Sequence, residues 1–139
     1  MELYRRENYL KKIRGFYHDS EMIKVITGVR RCGKSSLMQT IIEELKEQGV
    51  PEANLVFLDL DSKKHKSIKK PKQLEQEIDK LCSAEGMKYL FIDEIQNIIG
   101  FEEIINAYRG EKEYSVFITG SNSYLLSGEL ITKLTGRYI

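Results

Sequence analysis

A chain of 139 residues is long enough for one domain with its own core, and 41% hydrophobic with 31% charged residues reads as soluble and globular rather than disordered. With 22 basic and 21 acidic side chains the net charge is +1, so there is no global charge argument for a nucleic-acid or membrane partner. The two cysteines, Cys32 and Cys82, have no paired spacing and read as free thiols of a cytoplasmic protein; the charged N-terminus is not a signal peptide, and no apolar run approaches the roughly 18 residues that span a bilayer.

In chain order, residues 2–17 carry Leu3, Leu10, Ile13 and Tyr17 near one helical face, which predicts a short N-terminal helical segment within 1–20. "MIKVIT" (22–27) is short and β-branched, hence a strand. "KSSLMQTIIEELKEQG" sets Leu37, Met38, Ile41, Ile42 and Leu45 on one helical stripe, and Gly49 supplies a stop. "NLVFLDL" (54–60) is a mostly apolar second strand, as expected of one covered on both faces. The polar, basic stretch 61–72 reads as a loop, and Pro71 opens a helix carrying Leu74, Ile78, Leu81 and Cys82 that stops near Gly86. "KYLFIDE" (88–94) is a third strand, "FEEIINAY" (101–108) a helix, and "YSVFITG" (114–120) a fourth strand. Residues 123–134 are helical in parts, and "GRYI" begins a fifth strand. Strands alternating with helices predict right-handed crossovers and a parallel sheet with helices on both faces. We read 1–139 as one domain, truncated at its fifth strand.

The motif carrying most chemistry is Gly28, four residues, then Gly33-Lys34-Ser35. Glycines let a backbone wrap around phosphate oxygens with its N–H groups pointing inward, and the following helix adds its positive N-terminal dipole. Lys34 would reach the β- and γ-phosphates as a point charge, and the Ser35 hydroxyl would ligate Mg2+. The expected nucleotide-binding set is Gly28, Arg31, Cys32, Gly33, Lys34, Ser35 and Ser36. In that set the loop backbone rather than the Arg30 and Arg31 side chains meets phosphate. The alternative is an ordinary glycine-rich turn, but the motif follows a strand and opens a helix, as phosphate binding requires.

"YLFIDEIQ" (89–96) is an apolar strand ending in two acids. Asp93 would accept a hydrogen bond from Ser35 or from a Mg2+-bound water, and Glu94 would polarise the attacking water as general base. In "ITGSNS" (118–123), Ser121, Asn122 and Ser123 would bring neutral hydrogen-bonding groups near the phosphate loop if the fourth strand lies between the first and third; a helix N-cap is the competing reading. Arg137 can be a surface arginine or can reach a neighbouring subunit's γ-phosphate. "KKHKSIKK" (63–70) invites a DNA-binding reading but lacks aromatics for base stacking, so a solvated loop is the simpler one; His65 has no metal-ligand spacing around it.

These residues together resemble the AAA+ superfamily of P-loop ATPases, and more narrowly a prokaryotic family in which an N-terminal AAA-type domain precedes an uncharacterised C-terminal domain. The matching stretches are "VITGVRRCGKSSLM", "YLFIDEIQNIIGFEEIIN", "VFITGSNSYLLS" and "LTGRYI". The resemblance implies a three-layer α/β fold with sheet order 5-1-4-3-2 and ATP with Mg2+ as ligands. It further implies hydrolysis through Glu94 with Lys34, Asn122 as first sensor, and Arg137 as an arginine finger acting through self-association. It implies that a helical lid and the C-terminal domain are missing from this sequence. Two functions compete: an ATPase that drives or gates an appended domain or partner, DNA among the candidates, and a nucleotide-dependent switch with negligible turnover. A small-molecule kinase is disfavoured because 95–113 offers Arg109 alone as a lid arginine, and no guanine-reading motif supports a GTPase.

Overall fold

Runs rich in Val, Ile, Leu and Phe form the strands, and the computed structural model, which describes residues 10–26, 31–82 and 85–120 (backbone only for 31–35), joins them into one sheet. The elements are β1 (Lys24–Ile26), α1 (Arg31–Glu47), β2 (Leu55–Asp59), α2 (Pro71–Leu81), β3 (Lys88–Asp93), α3 (Phe101–Glu111) and β4 (Tyr114–Thr119). Short 3-10 turns occupy Glu52–Asn54 and Ile95–Asn97. Sheet order is β1-β4-β3-β2 with every pairing parallel, each crossover between consecutive strands being carried by a helix. These four strands stand in the order expected for them. The expected fifth strand falls outside the described residues.

Strand alternation sorts side chains into two cores. Leu90 and Ile92 of β3 and Val116 and Ile118 of β4 pack with Leu74 and Ile78 of α2 and Phe101, Ile105 and Tyr108 of α3. Phe91 and Phe117 point to the other face and pack with Leu37, Met38, Ile41 and Leu45 of α1 and with Leu10, Ile13 and Tyr17. Phe91 and Phe117 are register partners whose rings stack with centroids 4.4 Å apart. Helices therefore cover both faces, which makes three layers.

Several boundaries move from their expected places. The chain is helical over 10–14 and then breaks into a turn through Gly15, so the expected 2–17 helix ends early; Leu3 is outside the described residues. The first strand holds only Lys24–Ile26 of the expected 22–27. Helix α1 already includes Arg31 and Cys32, which the motif assigns to the loop. Its other end behaves as expected: Gly49, at φ +97°, lets Val50 N–H reach Leu45 O at 3.0 Å and closes the helix.

The N-terminal segment is fastened to the sheet and to α1. Arg14 grips Glu44 with two hydrogen bonds of 3.0 and 2.8 Å, and the Tyr17 hydroxyl donates to Glu44 at 2.9 Å. These bonds, those from Arg14 foremost, hold the Glu44 carboxyl below the usual range against the opposing effect of burial. Beneath the segment, fully buried Lys24 donates from Nζ to Asp19 O at 2.6 Å and to Ser115 Oγ at 2.7 Å, and Ser115 in turn donates to Tyr17 O at 2.6 Å. Burial pushes the Lys24 amine down to about 7, with the Asp19 carboxylate opposing.

Candidate functional site

The site is built where β3 and β4 end side by side. Parallel strands end together, so the residues after β1, β2, β3 and β4 share one edge of the sheet, where ligands bind in open α/β sheets. Asp93 closes β3 and is 4% exposed. By alternation it continues the Phe91 face, the one covered by α1, and Thr119 continues the Phe117 face in the same way. The fully buried Thr119 hydroxyl donates a hydrogen bond to Asp93 Oδ1 and accepts the Glu94 backbone N–H at 3.0 Å. One side chain of β4 thus fixes both the last residue of β3 and the next.

Glu94 has φ 64° and ψ 51°, a left-handed conformation uncommon for a side chain other than Gly, Asn or Asp. This reversal sends the chain into the Ile95–Asn97 turn, whose Ile95 is buried in the core. Gln96 Nε2 donates to Glu94 Oε2 at 2.6 Å, while Gln96 Oε1 is buried with no hydrogen-bond partner among the described residues. Asn97 Nδ2 donates to Asp61 Oδ1 at 2.8 Å and to Leu60 O at 3.3 Å, and Leu60 N–H reaches back to Asp93 O at 3.1 Å. The ends of β2, β3 and β4 are therefore stitched together by Thr119 and Asn97, while Gln96 holds Glu94 within the turn. None of these three was singled out from the sequence, although "DEIQN" and "ITG" contain them. The usable signal was a polar residue ending the strand that neighbours the acid pair.

Of the other expected site residues, Gly28, Asn122 and Arg137 lie outside the described residues. Arg31, Cys32, Gly33, Lys34 and Ser35 lie in the first turns of α1 by backbone alone, and Ser36 is half-buried just after them. Among the described residues no cluster of His, Cys, Asp and Glu could hold a metal unaided. A single buried carboxylate such as Asp93 is the kind of donor that Mg2+ uses, since that cation keeps several waters and takes one or two carboxylates with substrate phosphates rather than a protein cage. His65, far from ligating anything, is nearly buried and pairs with Glu77 of α2 at 3.2 Å. Cys82 is a half-buried free thiol that burial pushes up to about 11, which keeps it in the thiol form at neutral pH.

This fold, with β4 inserted between β1 and β3 and an acidic β3 end, is that of an AAA-type P-loop domain. A family model described as an AAA domain matches residues 20–139, and the chain belongs to that family. An uncharacterised protein of Haemophilus influenzae is 42% identical over 135 residues, which are 96% of this chain and 34% of that protein. An uncharacterised protein of Methanocaldococcus jannaschii is 33% identical over 116 residues, 83% of this chain and 24% of that protein. The chain spans about a third and a quarter, respectively, of these relatives' lengths. Among the described residues no helix is long and apolar enough to cross a membrane.

Proposed function

We propose that this domain binds ATP with Mg2+ at the C-terminal edge of its sheet and hydrolyses it. Gly28, Gly33 and the α1 N-terminus would hold the phosphates, with Lys34 on the β- and γ-phosphates and Ser35 and Asp93 serving the cation. Mg2+, when bound, supplies charge neutralisation on the phosphate oxygens. Glu94 would take a proton from the attacking water. Asn122 would position that water, and Arg137 of a neighbouring copy would stabilise the transition-state charge through self-association. The observation that carries the reading is the Thr119 hydroxyl bound to both Asp93 and Glu94, which supports two acids of distinct roles on adjacent residues: one held buried on the α1 face, one turned away by its left-handed backbone. Steady-state phosphate release tests it. Glu94→Gln is expected to lower turnover at least a hundredfold while ATP still binds. Equal turnover in the two proteins would dispose of the assignment.

A second reading, a nucleotide-dependent switch with negligible turnover, is favoured by the Gln96–Glu94 hydrogen bond, which engages one of the two carboxylate oxygens and restrains the side chain. Titration calorimetry with ATP, ADP and a non-hydrolysable analogue, beside the release assay, separates the two. Binding without turnover selects the switch. An appended domain and DNA are the partners proposed for the cycle to act upon, on the strength of the family resemblance and of the basic loop.

A further inference from the structure

The loop between β2 and α2 leaves the sheet at the same edge as Asp93 and Glu94. Its side chains divide sharply. His65 and Ile68 turn inward, His65 onto Glu77 and Ile68 into the core, each 8% exposed. Lys63, Lys64, Lys66, Lys69, Lys70 and Lys72 are all exposed. Among the described residues none of these lysines is held in an ion pair. Turns bonded Ser62 to Asp59, His65 to Ser62 and Ile68 to His65 give the loop a defined path, and the Gln73 side chain accepts the backbone N–H groups of Lys69 and Lys70 at 2.9 and 3.0 Å. A merely solvated loop needs neither the two buried anchors nor the row of exposed ammonium groups they present. The loop is also bonded to the acid-bearing turn: Ile99 N–H donates to Lys69 O at 3.2 Å, and Asn97 bonds Asp61 and Leu60 at the loop's start.

We propose that this lysine face docks the phosphate backbone of nucleic acid, and that docking is felt at Glu94 through Asn97 and Gln96. The chemistry favours phosphate over an acidic protein. Six exposed lysines spread over ten positions offer a row of point charges that serves the repeating, evenly spaced charges of a phosphate backbone in any orientation. The stretch 61–81 contains no Phe, Tyr or Trp for base stacking, so recognition is of backbone charge and independent of sequence. The second clause of the proposal rests on the hydrolytic reading above; the first does not.

Fluorescence anisotropy with a labelled mixed-sequence duplex, followed over a range of salt, tests the docking. Replacing Lys63, Lys64 and Lys66 together by Ala is expected to weaken binding more than tenfold at low salt. It should also reduce the slope of log affinity against log salt by about 2 to 3, one released counterion per lost contact. Because the three side chains are exposed, the thermal melt and the basal phosphate release should not change. Unchanged affinity and slope overturn the docking, and displacement of the duplex by poly-glutamate of matched charge transfers the surface to an acidic protein. For the coupling, duplex should stimulate phosphate release in the wild type. Asn97→Ala should still bind duplex but respond less; an undiminished response removes Asn97 from the account. Duplex binding that depends on the lysines, with no phosphate release under any condition, would sink the hydrolytic reading and the coupling while upholding the docking surface.

Discussion

Gln96 donates to the Glu94 carboxylate across 2.6 Å, from a turn that is itself tied to the end of β2. A hydrogen bond to a charged group is worth about 1.5–3 kcal/mol, so the carboxylate is held rather than left to sample solvent. Gln96→Ala should release it. Basal phosphate release is expected to rise about fivefold to tenfold, with little change in ATP affinity. A fall in the rate would mean that Gln96 orients Glu94 for catalysis instead of restraining it.

Thr119 has both hydrogen-bonding capacities of its hydroxyl in use, one toward Asp93 and one toward the Glu94 backbone. Thr119→Val keeps the shape and removes the hydroxyl that serves both the Asp93 carboxylate and the Glu94 N–H. A loss of about 2–3 kcal/mol is expected in urea unfolding, with weakened Mg2+-dependent nucleotide binding. Thr119→Ser should recover most of both, because it restores the oxygen.

Lys24 predicts a pH dependence of stability. Its folded value of about 7 lies below its ordinary 10.5, so between these values the unfolded chain binds more protons than the folded one. Stability contributed at this position therefore rises with pH over that window; the full cost of burying a charged amine is felt only below it. The rise should approach 1 kcal/mol per pH unit around pH 8–9, measured by urea unfolding. Lys24→Met, which keeps the packing over Phe117 without the charge, should lose most of this slope.

The Arg14–Glu44–Tyr17 cluster holds the N-terminal segment on α1. Glu44→Gln should cost about 1 kcal/mol, since the pair is only part-buried, and should raise amide exchange over 10–19 more than in the sheet. The Glu44 carboxyl is held low when folded, so its contribution is present at neutral pH and is lost as pH falls through that lowered value.

Much of the fold was legible because its signals are local. Leu37, Met38, Ile41, Ile42 and Leu45 share one helical face in any register, and all five are buried. The loop at 61–72 was legible as polar, but not as anchored. A lone His65 gives no sign that Glu77, twelve positions on, receives it. Lys24 was likewise invisible as a buried residue, because a lysine in a short strand normally reaches solvent, and only Ser115, on a strand 91 positions away, completes its hydrogen bonding.

The sequence by itself determined the phosphate-loop spacing, the acid pair after an apolar strand and the alternation of strands with helices, all properties of residues near one another in the chain. Strand order is of another kind. Parallel neighbours are joined only through long crossovers, so no short window records that β4 lies between β1 and β3. That insertion brings Thr119 to Asp93 across 26 positions and lets a single hydroxyl serve two consecutive residues of β3 and its turn. The acids were written in the sequence; what holds each of them, Thr119 for one and Gln96 for the other, was decided by the pairing of strand ends and the left-handed turn at Glu94.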